Sequence, residues 1–260
     1  MILGQLKEYP FETKPMICAH RGDTSHGATE NSISAIDAAI ASGAEMIEID
    51  VQMTIDSVLI CHHDETLPDD SLSIWEQTYS DIQKKSNSDS LPKFEDILRH
   101  AAGKAYLNIE MKDYSGFHPS RFVHPLVALV KEFGMHEYSL YSSFRFDFIQ
   151  ALAWDAVSVI IRPTTSMIDY FNSRSLSPVL VQKPVEEMLP TEILKYAHAT
   201  TYACMLSELR SEFREDIKKN NIFLSVYTAR TIEDFQLARA AGAKAIVTDI
   251  PEELLAYRGQ

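Results

Sequence analysis

Apolar and polar residues alternate along this chain in two registers. Compact apolar runs at residues 15–19, 44–51, 104–111, 138–142, 157–161, 222–228 and 244–248 read as buried strands. Between them the apolar residues recur every three or four positions, the spacing of helices that cover a sheet. The first such helix carries Ile33, Ile36 and Ile40 on one face, with Asn31 placed to cap it and Gly43 to end it. Further helices are expected at 93–100, 122–133, 144–154 and 207–219. Thr231-Ile232-Glu233-Asp234 reads as a capping box for the last clear helix, which Gly242 closes. Residues 57–61 extend the second strand as a hairpin arm, and the polar stretch 66–90 is expected to be a short insertion or loop. Two stretches compete for the remaining strand, 178–181 and 200–205. The second is preferred because a helix and a clear strand follow it.

Counted this way the chain holds eight strand–helix units, without a repeated motif or a linker. Such alternation implies parallel strands joined by right-handed crossovers. A closed (β/α)8 TIM barrel, occupying residues 1–260 as one domain, accommodates that count and that length. A doubly wound open sheet is the alternative.

Composition narrows the function classes. The chain has 24 basic and 37 acidic residues, a formal charge of −13, which disfavours nucleic acid and anionic membrane as partners. A small anionic substrate stays open, since a few cations inside a cleft can outweigh a distant negative surface. Cys18, Cys61 and Cys204 cannot all pair and lack zinc-ligand spacing, so buried thiols are expected. The first fifteen residues lack the apolar core of a signal peptide, and no apolar run is long enough to span a bilayer. A cytoplasmic protein without stable membrane insertion is the expectation. The aromatic residues leave room for a homo-oligomer but locate no face for one.

The chemistry-bearing residues gather at predicted strand exits. Glu48 and Asp50 lie two apart on one strand and so share a face, while Ile47, Ile49 and Val51 face the covering helices. Two carboxylates aimed at a barrel interior repel unless a cation or a proton intervenes. Hard oxygen donors suit Mg²⁺ or Ca²⁺, and Glu110, at the end of another apolar strand, offers a third. The alternative is that these acids face solvent or pair with lysines. His20 follows the first strand and His63 follows the arm; a pair of imidazoles across a phosphate can act as base and acid. His62 must face away if His63 faces the cleft. Arg21 and Lys112 are the natural phosphate handles, or else neutralise the three acids. Glu30 is placed to orient the His20-Arg21 loop. Asn31 reads chiefly as a helix cap, and Ser142-Ser143-Phe144 lines a strand mouth or starts the next helix. Gly22 and Gly27 supply turns in the first loop, and no phosphate-cradling glycine loop is present.

Ala19-His20-Arg21-Gly22, Glu30-Asn31-Ser32, Glu48-Ile49-Asp50-Val51, His63-Asp64-Glu65-Thr66-Leu67 and Leu107 through Lys112 resemble the glycerophosphodiester phosphodiesterase family. Ser142-Ser143-Phe144, Val226-Tyr227-Thr228 and Val247-Thr248-Asp249-Ile250-Pro251 continue the match in the family's order. The resemblance implies a (β/α)8 barrel that hydrolyses glycerophosphodiesters to glycerol phosphate and an alcohol. It implies one divalent ion, Mg²⁺ or Ca²⁺, on Glu48, Asp50 and Glu110, His20 and His63 as the acid–base pair, and Arg21 and Lys112 on the phosphate. It also selects His63 over His62. Tyr227 keeps an aromatic wall, whereas Arg230 places a cation where the family usually has a neutral or acidic residue. Both are therefore candidates for contacts to the glycerol or the alcohol. Residues 176–198 match no part of the family pattern. Three readings compete: a lyase that releases a cyclic phosphate, a non-catalytic barrel that binds a phosphodiester, and an unrelated metal hydrolase.

Overall fold

The strands are where the apolar runs place them. The structure, a computed structural model, describes residues 9–10, 14–86, 91–112, 114–115, 117–152, 156–174 and 183–259. Nine strands are present among these: β1 (Met16–Ala19), β2 (Met46–Met53), β3 (Leu59–Cys61), β4 (Tyr106–Met111), β5 (Ser139–Ser143), β6 (Val157–Ile161), β7 (Thr201–Met205), β8 (Phe223–Ala229) and β9 (Ala245–Thr248). All but β3 are parallel, and β1 pairs with both β9 and β2, so eight strands close into a ring. That is a (β/α)8 TIM barrel. β3 lies outside the ring, antiparallel to β2 with Val51 opposite Cys61, as the hairpin arm expected at 57–61. The choice of 200–205 for the main sheet is met by β7; the competing stretch 178–181 lies outside the described residues.

The helices are α1 (Ile33–Ser42), α2 (Tyr79–Lys85), α3 (Phe94–Ala101), α4 (Pro119–Glu132), α5 (Phe146–Gln150), α6 (Thr165–Arg174), α7 (Pro190–Ala197), α8 (Ser211–Lys219), α9 (Ile232–Ala240) and α10 (Pro251–Arg258). None is long and apolar enough to cross a membrane. Several differ from expectation. Asn31 does not cap α1: Ser32 does, its side chain accepting from Ala35 N, because Asn31 is drawn into the barrel by Asp50. α4 starts at Pro119 under a His118 cap, since proline at the first turn needs no N–H partner. The helix expected at 207–219 splits into a 3-10 turn, Leu206–Glu208, and α8. The stretch 66–90 is not all loop. It holds a 3-10 turn and α2, whose Ile82 packs with Ile60, Leu67, Ile74 and Leu91 in a small apolar cluster of its own.

Strand alternation divides the core into two shells. Met16, Cys18, Met46, Tyr106, Leu140, Val159 and Val247 fill the barrel interior. Ile47, Ile49, Val51, Leu107 and Ile109 point outward, in one cluster with Phe94, Leu98 and Phe122 of the helices. The three cysteines are free and buried within these shells. At the N-terminal end of the barrel Arg258 donates to both carboxylate oxygens of Glu45 and to the Pro15 carbonyl, tying α10 to the first strands.

One glycine fixes the loop that carries the first histidine. Gly22 has φ +86°, and a Cβ there would lie 2.6 Å from Ala35 Cβ and 2.8 Å from the Ala35 carbonyl carbon. The His20-Arg21 loop thus presses directly on α1. Gly22→Ala is expected to lower the unfolding free energy by about 2–3 kcal/mol, from overpacking plus left-handed strain. A urea unfolding midpoint compared with wild type checks it.

Candidate active site

Along each inward-facing row the side chains change from apolar at the barrel floor to ionisable at the C-terminal ends of the strands. On β2 the row runs Met46, Glu48, Asp50; on β4 and just beyond it, Tyr106, Asn108, Glu110, Lys112. The parallel register pairs Glu48 with Asn108 and Asp50 with Glu110. Each residue's height in the barrel therefore follows from its place in its strand.

Glu48, Asp50 and Glu110 converge, with one carboxylate oxygen from each lying within 4.8 Å of the others. Glu48 and Asp50 are buried. Lys112 Nζ sits 2.7 Å from Glu110 Oε1 and 3.6 Å from Asp50 Oδ1. Arg21 gives its backbone N–H to Glu48 Oε2 at 2.8 Å, and its Nε lies 3.3 Å from Asp50 Oδ2. Asn31 clasps Asp50 twice: its amide donates to Asp50 Oδ2 at 2.9 Å, and its Oδ1 accepts from Asp50 N at 3.0 Å. Burial, then the charges of Asp50 and Glu110, push the Glu48 carboxyl well above the ordinary carboxylate range. For Asp50 burial acts in the same sense, but Lys112, His63, Arg21 and the Asn31 hydrogen bond outweigh it and hold the group low. The Lys112 ammonium is held charged: burial opposes it, and Glu110 and Asp50 more than compensate.

The donor set fits a divalent cation on two observations of this structure. Three hard oxygens lie within 4.8 Å of one another, close enough to share one ion. In addition, Glu48 Oε1 is buried without a hydrogen-bond partner, an arrangement that is costly unless something supplies one.

Each candidate histidine is held by a carboxylate. His20 Nδ1 is 2.6 Å from Asp249 Oδ1, and His63 Nδ1 is 2.7 Å from Asp64 Oδ1. His62 is turned aside, its Nε2 at 3.1 Å from the Thr66 carbonyl. In the sequence Asp249 and Asp64 stand only as parts of motifs and carry no assigned role. The available signal was their placement, one directly after a histidine and the other just past the last strand. Burial tends to raise the Asp249 carboxyl, but hydrogen bonds and charge from His20 and Arg230 hold it below the ordinary value.

His20, Arg21, His63, Glu110, Lys112, Tyr227 and Arg230 share one open cleft of about 670 Å³, together with Phe144. Phe144 and Tyr227 meet edge to face, centroids 6.4 Å apart. Lys112 Nζ lies 5.7 Å from the Phe144 ring centroid. Glu30 sits beside the cleft with both oxygens on Arg21 Nη1, at 2.9 and 3.0 Å, as the orienting role anticipates. Ser143 takes the helix-starting alternative: its buried hydroxyl donates to the Met111 carbonyl and accepts from Arg145 N. Its hydroxyl is thereby committed to backbone.

The sequence profile of the glycerophosphoryl diester phosphodiesterase family matches residues 20–253. A protein of Caldanaerobacter subterraneus subsp. tengcongensis, named as a glycerophosphodiester phosphodiesterase, is 28% identical over 93% of this chain and 97% of its own. The crystal structure of a glycerophosphodiester phosphodiesterase from Parabacteroides distasonis is 25% identical, with a TM-score of 0.75 over 95% of this chain and 98% of that one. An Oleispira antarctica phosphodiesterase, solved in complex with the product sn-glycerol-3-phosphate, has a TM-score of 0.76 at 17% identity, covering 96% of this chain and 99% of that one. At that identity the likeness speaks for the fold alone.

The Asn31 clasp yields a test of the geometry. Asn31 itself has φ +57°, so Asn31→Gly removes the side chain without adding backbone strain. Loss of both bonds to buried Asp50 is expected to cost about 1–3 kcal/mol of stability, read from urea unfolding.

Proposed function

The chain belongs to the glycerophosphoryl diester phosphodiesterase family and is a phosphodiesterase; from that premise we propose metal-dependent hydrolysis of glycerophosphodiesters, with His20 and His63 as acid and base. The convergence of three carboxylates with two histidines and two cations around one cleft carries this reading. Glu48, Asp50 and Glu110 would hold the divalent ion, Mg²⁺ or Ca²⁺, which when bound neutralises phosphate charge and helps place the nucleophile.

The remaining steps belong to the protein's own side chains. Arg21 and Lys112 offer cationic donors to the phosphate oxygens, and Glu30 holds the Arg21 guanidinium in place. Asp249 and Asp64 occupy Nδ1 of their histidines, so Nε2 is the nitrogen left to exchange a proton with the reacting oxygens. One histidine takes the proton of the nucleophile, while the other protonates the departing alkoxide. Phe144 and Tyr227, packed edge to face, line the cleft as an aromatic wall. The substrate is a small phosphodiester bearing glycerol.

A phosphorus NMR time course with glycerophosphocholine tests the reaction. Glycerol phosphate appearing with Mg²⁺ or Ca²⁺ and not with chelator is the expected outcome; accumulation of a cyclic phosphate would instead favour the lyase reading. His20→Ala and His63→Ala are each expected to lower kcat by at least about 10²-fold, measured by the same assay. Glu110→Gln is expected to lower activity in a way that added divalent ion partly restores. Indifference of that variant to metal concentration would remove Glu110 from the ligand set.

A further inference from the structure

We propose that Arg230 is a positioning residue for His20, acting through Asp249 rather than by touching the substrate. The proposal rests on the acid–base reading of His20 above. Ala229 and Thr248 are register partners at the ends of β8 and β9, so the next residue on each strand, Arg230 and Asp249, emerges side by side. The Arg230 backbone N–H is fixed by Asp234 Oδ2 at 2.9 Å, which also caps α9 through Thr231 N. From there Arg230 Nε donates to Asp249 Oδ2 at 2.8 Å, while Asp249 Oδ1 is engaged by His20 Nδ1 at 2.6 Å.

A carboxylate bonded through one oxygen can still turn about its Cβ–Cγ bond. One bonded through both oxygens to different partners cannot turn without breaking a bond. Asp249 is of the second kind and Asp64, the partner of His63, is of the first: it is 74% exposed, and among the described residues its carboxylate bonds to His63 alone. The two histidines are thus held with unequal rigidity. The Arg230 side chain is 66% exposed, so its ion pair contributes little to folding. What it does fix is the carboxylate that selects the His20 tautomer and ring orientation. The Asp249 carboxylate already partners this guanidinium, which makes it a weak attractor for an anionic alcohol group.

Steady-state kinetics of Arg230→Ala, Asp249→Ala and the double variant, with nitrogen-15 NMR of the His20 ring, test the proposal. Arg230→Ala should lower kcat about tenfold, a part of what a positioned acid–base group supplies, with KM changed less than about twofold. The double variant should be no slower than Asp249→Ala alone. In the NMR spectra His20 should be a single Nδ1–H tautomer in the wild type and a mixture in Arg230→Ala. A loss carried by KM, a loss that persists in the Asp249→Ala background, or an unchanged tautomer would each overturn the proposal. The NMR arm needs no turnover, so an inactive protein with the predicted tautomer change would count against the hydrolase reading and not against this one.

Discussion

Three carboxylates within 4.8 Å of one another, two of them buried, are the constraint on which the rest of the site depends. At an effective dielectric of about 20, each like-charged pair at that separation costs on the order of 3 kcal/mol. Lys112 and Arg21 offset part of this, and Asn31 adds two hydrogen bonds to Asp50. The compensation is unequal: Asp50 is held ionised while Glu48 is driven toward its neutral form. A divalent cation bound there would remove the imbalance by giving all three groups one partner. The barrel is what makes the crowding geometrically possible, because parallel register sets Asp50 beside Glu110 on neighbouring strands.

The same alternation builds both stability and chemistry. Outward residues of β2 and β4 pack beneath the helices; inward ones form an apolar floor and then, two residues further along, the acids. The floor encloses only a small cavity of about 50 Å³, and the acids above it are carried by strands rather than by loops. The histidines come from the less regular parts, one just past β1 and one past the β3 arm. Each is steadied by a carboxylate: His20 by one beyond β9, His63 by its own neighbour.

Much of this was legible in the sequence, and the failures have physical causes. Strand alternation alone placed Glu48 and Asp50 on one face and Ile47, Ile49 and Val51 on the other, since the side-chain period of a strand is fixed. It also set Lys112 on the face of Glu110. The cap of α1 is not decided by sequence, since Asn31 and Ser32 are both good helix caps and only the tertiary bond to Asp50 chooses between them. The bond from His20 to Asp249 spans 229 positions, so no local pattern could reveal it. α7, absent from the expectation, does carry a local signal: Pro190 at its first turn and Ile193 and Ala197 four apart on its buried face.

The central claim is that the fold gathers these three acids to hold one cation. Anomalous diffraction from a crystal soaked in Mn²⁺ tests it most directly. The account predicts a single strong peak in the cleft within about 2.5 Å of oxygens from Glu48, Asp50 and Glu110 together. A cleft without such a peak, with Lys112 and Arg21 as the counter-ions of the acids, would contradict it.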